Sequence, residues 1–216
     1  MIKNDSLAFE KVIHDPKLTA EFILKEYQLH EDIAINVHKL ASLFGLHIKY
    51  GAFSTKQDGM YLPPQFDGDI HLVLLNPKVD ITRQRFTIAH EIGHYLRWEY
   101  AGVTQNSAEQ EEIENKFCDD FAGWLLMPES SLENYMRENF DSEEHLELED
   151  VHAINRLFGV SYSMAAHVIF YRYNRLNVDQ EEVSLKENIE TYLQDPDDDK
   201  KAYFNMLLFF LSPSNR

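Results

Sequence analysis

Cysteine is almost absent from this chain: Cys118 is the only one among 216 residues. One thiol cannot form an internal disulfide, which excludes the small disulfide-stapled secreted classes and makes a reducing cytoplasm the expected location. Long apolar runs are also missing. The longest, Met206 to Leu211, falls far short of the ~18 residues of a membrane helix. The opening MIKNDSLAFEKVIHD has no apolar stretch of the kind that marks a secretory signal. Basic residues are scarce, 20 against 37 acids, for a net charge of −17. A duplex-binding surface needs clustered Lys and Arg to displace counterions, so direct nucleic-acid binding is not expected.

What is present is an ordinary globular composition, 44% hydrophobic and 26% charged, long enough to bury a core unaided. Apolar residues recur at helical spacing through residues 5–45, ending at Gly45. Leu46, Ile48 and Tyr50 alternate as in a strand, and Gly51 to Gly68 has loop or hairpin composition. His71 to Leu75 is a short apolar strand, read as a sheet edge able to hold an extended substrate. Asp80 or Thr82 can cap a helix through ITRQRFTIAHEIGHYLRWEY, which Ala101-Gly102-Val103 stops. A second helix is expected from Ala108 to Met127, then an acidic irregular stretch, then helices at Leu148–Phe158 and Tyr162–Leu176 around a Gly159-Val160-Ser161 turn. Fifteen acids lie between Ala108 and Asp150, opposed only by Lys116 and Arg137. Such runs are mostly solvated helix faces, though they also favour cations or basic segments nearby.

The informative residues are His90-Glu91-Ile92-Gly93-His94. Positions i and i+4 share a helix face, so both imidazoles can grip one metal ion. Glu91 sits beside them and can act as general base toward a metal-activated water without being a ligand. Phe86, Ile88, Ala89, Ile92 and Leu96 make the helix strongly apolar. Buried imidazoles and a buried carboxylate cost free energy unless something satisfies them, and a metal does. Catalytic zinc sites take three protein ligands. On the second helix Phe117, Cys118, Phe121, Ala122 and Leu125 form an apolar stripe, and Glu114 lies on that stripe one turn before Cys118. Glu114 is the candidate third ligand, Glu111 the reserve, and Asp119 a candidate for orienting a histidine.

With these residues in hand the chain resembles the ImmA/IrrE metallopeptidases. The matching pieces are RQRFTIAHEIGHYL (Arg83 to Leu96) and FAGWLLMP (Phe121 to Pro128), with LFGVS (Leu157 to Ser161) similar to the family's helix-turn-helix-like element. The resemblance implies an α+β fold: a mostly helical domain with a small β-sheet beside a zincin-like active-site helix and a second, ligand-bearing helix. It implies Zn2+ held by His90, His94 and a glutamate, with Glu91 as general base. It implies cleavage of a partner transcriptional repressor or antitoxin. The family's ligand glutamate stands three residues before the Ala or Cys of an A-N or C-N pair. Counting back from Cys118 gives Asn115, with Glu114 one residue away. The expected organisation is an N-terminal helical segment (1–45), a zincin-like core (46–135), a helical helix-turn-helix-like element (136–178), and an acidic linker with a C-terminal helix (179–216).

Other residues read more plainly. Tyr95 is expected to be a core aromatic rather than an oxyanion donor. Arg83 and Arg85 are expected to brace the helix through salt bridges. The histidines outside the motif are scattered, and each reads as a surface or core residue. Val151 to Leu176 reads as a packing or partner-docking element, since only Arg172 and Arg175 are basic in its second helix. Two functions compete: a zinc endopeptidase acting on one regulatory protein, and a non-catalytic, metal-stabilised interaction partner in a repressor or toxin-antitoxin-like complex. The first needs Glu91 and a complete ligand set; the second needs only a surface.

Overall fold

The computed structural model describes residues 6–30, 33–51, 53, 57–64, 70–103, 107–141 and 146–173. The expected acidic linker and C-terminal helix (179–216) lie outside them. The chain divides into two compact units, residues 1–138 and 139–216. The N-terminal helices therefore belong to the same unit as the expected core.

In the first unit, α1 (Ser6–Val12) leads into α2 (Pro16–Glu26), whose start is set by Asp15: its carboxylate accepts from Leu18 N–H, and Pro16 occupies the first turn. α3 (Val37–Leu43) is capped in the same way by Asn36. Three strands follow: β1 (His47–Tyr50), β2 (Gly59–Leu62) and β3 (Leu72–Leu75). Their order is β1-β3-β2, with β1 parallel and β2 antiparallel to β3. The fold is α+β.

This order corrects one expectation. The apolar strand at 71–75 is the centre of the sheet, not an edge. Val73 and Leu75 are fully buried against the helices, and both sides of β3 are paired. Its apolar run is the mark of a central strand. The edges are β1 and β2, and β2 lies within the loop-like stretch 51–68.

α4 (Ile81–Ala101) carries the HEIGH motif. Asp80 caps it by accepting from Arg83 N–H, and Gly102 ends it in the left-handed region at φ 62°. α5 (Ala108–Leu126) is capped by Ser107, with Glu109 and Glu111 in its first turn, where the helix dipole favours acids. α4 and α5 pack together, and α2 covers α5. The crossing is close because Gly93 lacks a side chain: a Cβ there would stand 3.0 Å from Cys118 Sγ and 3.2 Å from Phe121 Cδ1. That contact accounts for a glycine in mid-helix, where it otherwise costs about 1 kcal/mol against alanine.

The stretch after Pro128, expected to be irregular, is a helix, α6 (Glu129–Asn139). Only Leu132 and Met136 supply its large apolar contacts, with Ser131 buried beside them. So short a stripe is hidden among acids in the sequence. Ser130 Oγ also donates to the His30 carbonyl, tying the helix to the segment that follows α2.

The second unit holds α7 (Leu148–Phe158) and α8 (Tyr162–Val168), joined by a turn at Gly159 (φ 64°) and continued by a π-helical turn at Ile169–Tyr173. Ile154, Phe158, Tyr162 and Ala165 are buried. No helix among the described residues is long and apolar enough to cross a membrane.

Candidate metal centre

His90 and His94 lie one turn apart on α4, and their Nε2 atoms face each other at 3.0 Å. Asp119, on α5, holds the other side of His90: its Oδ1 lies 2.8 Å from Nδ1. A carboxylate accepts here, so the Nδ1 of a neutral His90 carries the proton and its Nε2 presents a lone pair toward His94. Two ring nitrogens this close, one of them with its lone pair turned inward, have the arrangement of a pair sharing a single proton or a single cation. The donor set therefore fits a metal ion.

Glu91, 5% exposed, lies beside the pair. Burial pushes its carboxyl up to about 7, against the pull of His90 and of a hydrogen bond from Tyr61 backbone N–H. A carboxylate near neutrality suits proton transfer at ordinary pH. Burial, with His90 second, drives the His94 imidazole down to about 4. The side chain of Asn115 also hydrogen-bonds His94.

The bond from Tyr61 comes from the sheet edge. Asn76 N–H donates to the Asp58 carbonyl, and the register pairs Met60 with Leu74. Asp58, Met60 and Leu62 therefore bond to β3, while Gly59 and Tyr61 turn their backbone groups outward. The outward Tyr61 N–H goes to Glu91. β2 can approach this closely because residue 59 is glycine: a Cβ there would stand 2.4 Å from Thr87 Cγ2 on α4.

Two depressions meet at Gln57, Gly59, His90 and Glu91. One, of about 430 Å³, is lined further by Met60, Arg97, Trp98, Glu111, Glu114 and Asn115. The other, of about 240 Å³, is lined by Asp58, Arg83, Phe86, Thr87 and Asp119. Together they run along the outer edge of β2 past the histidines. Arg83 pairs with Asp58 at the rim.

Glu114 is buried but turned to another partner. Arg97 Nε and Nη2 donate to its two carboxylate oxygens at 2.8 and 2.7 Å. The same guanidinium reaches the Ile13 carbonyl and His14 Nδ1, and lies 4.7 Å from the Phe117 ring centroid. Glu111 lines the larger depression from an exposed position. The residue that does join the histidines is Cys118. Its Sγ and one ring nitrogen from each histidine lie within 4.8 Å of one another. Burial, then Glu91, Glu114 and Asp119, pushes the Cys118 thiol well up. Its place on the apolar stripe of α5 is the sequence signal for Cys118; an acid is the expected donor there, and the thiol is the one found with the histidines.

Tyr95 faces the other way, packed against Phe44, Tyr61 and His71. His71 accepts or donates at 2.7 Å to the Tyr61 hydroxyl. His14, as noted, meets Arg97. Among the described residues, the group able to hold a metal contains no other histidine.

A histidine pair on one helix, a buried acid beside it and a second helix crossing at a glycine make a cluster with donors able to hold a metal ion. The IrrE N-terminal-like domain model, Peptidase M78, matches residues 41–170, and the chain belongs to that family, the ImmA/IrrE metallopeptidases. No curated protein sequence matches it. Among solved structures it is similar to a Mycobacterium tuberculosis transcriptional regulator, at 18% identity and a TM-score of 0.54, over 80% of this chain. This chain spans 55% of that chain's length, and the likeness is one of fold.

Proposed function

We propose that this chain is a zinc-dependent endopeptidase that hydrolyses a peptide bond in a partner regulatory protein, a transcriptional repressor or antitoxin. The observation that carries the reading is the facing Nε2 pair of His90 and His94, with buried Glu91 alongside and a cleft bordered by the free edge of β2. Zinc supplies Lewis acidity and makes a bound water acidic enough to be used near neutral pH.

The chain's own residues do the rest. His90 and His94 hold the ion, and Asp119 fixes the tautomer and angle of His90. Glu91 takes the proton of the attacking water and returns it to the leaving amine. An extended substrate segment lies along β2, pairing with the outward groups of Gly59 and the carbonyl of Tyr61. The N–H of Tyr61 is spent on Glu91, so substrate and general base are positioned from the same strand.

Glu114 enters the ligand set only by giving up both bonds to Arg97. Breaking a buried pair and leaving one charge uncompensated costs about 3–5 kcal/mol. This commitment is the observation that favours the second reading, a metal-stabilised interaction partner without peptidase activity. The two separate in one experiment. The zinc-loaded chain is incubated with a candidate repressor, and cleavage is followed by intact-mass spectrometry beside Glu91→Gln. Cleavage by the wild type, reduced about 10²–10⁴-fold in Glu91→Gln, supports the peptidase. Stable complex formation with no cleavage by either protein supports the partner.

A further inference from the structure

We infer that Cys118 is the third protein ligand of the metal, giving a two-histidine, one-thiolate centre in place of a carboxylate one. The inference rests on the metallopeptidase reading and names the donor that reading leaves open.

Three side chains on α5 are near enough to compete. Glu114 is held through both oxygens by Arg97, at 2.8 and 2.7 Å. Asn115, at the position where the family pattern has its acid, offers a neutral amide that already hydrogen-bonds His94. Cys118 has Sγ within 4.8 Å of a ring nitrogen of each histidine. It is fully buried, it is a free thiol, and it rests against the backbone of Gly93, between the two histidine turns.

Two donors on one tetrahedral zinc stand roughly 3.5 Å apart. The separations found here exceed that by no more than about 1.3 Å, a gap that a side-chain rotation and a small helix shift can close. On ligation the S–H bond breaks, a sulfur–metal bond forms, and the proton passes to solvent. Sulfur is a good donor to zinc beside imidazole. Asp119 and Glu91 stay in their outer roles, and the Arg97–Glu114 pair stays intact.

The test is cobalt(II) loading of the full-length, metal-free protein, read by absorption. Thiolate ligation gives a sulfur-to-cobalt charge-transfer band in the near ultraviolet. Because the chain has a single cysteine, the band in the wild type alone assigns Cys118, even if a variant fails to fold. The near-isosteric Cys118→Ser then loses the band. It also loses zinc affinity beyond the roughly 10- to 100-fold that changes around a ligand produce, while Glu114→Gln keeps the band. Cobalt bound without the band, with binding lost in Glu114→Gln, overturns the assignment and returns the third position to the carboxylate. No cobalt or zinc bound at all overturns the metallopeptidase reading itself, and this inference with it.

Discussion

Two acids on the same helix, Asp119 and Glu114, meet opposite fates. Asp119 is more than half exposed and takes the imidazole of His90. Glu114 is almost wholly buried and takes the guanidinium of Arg97. A carboxylate near a metal-binding pair orients a ligand, becomes a ligand, or is neutralised elsewhere, and its nearest cation decides which. Position on the buried stripe pointed to Glu114. Its partner, seventeen residues earlier on α4, set its role.

Substitutions at these positions and at Glu91 test how each acid is held. Arg97→Met is expected to have the largest effect. It strands a buried carboxylate and should cost about 3–5 kcal/mol, read as a lower midpoint in denaturant. Adding Glu114→Leu should restore most of the loss, because an apolar pair of similar volume replaces the buried ion pair. If the double variant is no more stable than the single one, Arg97 acts through something other than Glu114.

Next is Glu91→Gln in the metal-free protein. The Glu91 carboxyl is raised from 4.5 to about 7. The folded wild type therefore keeps a proton that the unfolded chain releases, and it loses stability as pH rises from about 4.5 through 7. Glutamine has no such dependence. The stability of Glu91→Gln relative to wild type should rise across that window by at most about 3 kcal/mol. A constant difference from pH 4 to 8 would mean that Glu91 ionises normally.

The smallest effect is expected on the other arm. Asp119→Asn keeps the shape but weakens the hold on His90 Nδ1, and should lower zinc affinity about 10- to 100-fold with little change in fold stability. An unchanged affinity would remove Asp119 from the site.

The legibility of this protein in its sequence follows the range of the interactions. The α4 helix could be read whole, because its cap at Asp80, its stop at Gly102 and its histidine spacing are all local. α7 could be read for the same reason. β2 was legible only in part: Gly51 to Gly68 reads as loop or hairpin, and pairing with β3 makes Gly59-Met60-Tyr61-Leu62 a strand. The central place of β3 depends on strand order, which no local pattern encodes. α6 was hidden because its apolar stripe is so short. At the site, His90, Glu91 and His94 come together as the motif spacing predicts. The engagement of Glu114 by Arg97, the hydrogen bond from Tyr61 to Glu91 and the approach of Cys118 join residues on different elements. They appear only once the helices cross at Gly93.

The proposed function requires a working metal centre on His90 and His94. Its most direct test is the zinc content of the purified, zinc-incubated protein beside His94→Ala, by elemental analysis. One zinc per chain in the wild type and none in His94→Ala is the predicted result. A wild type that retains no zinc would rule that centre out.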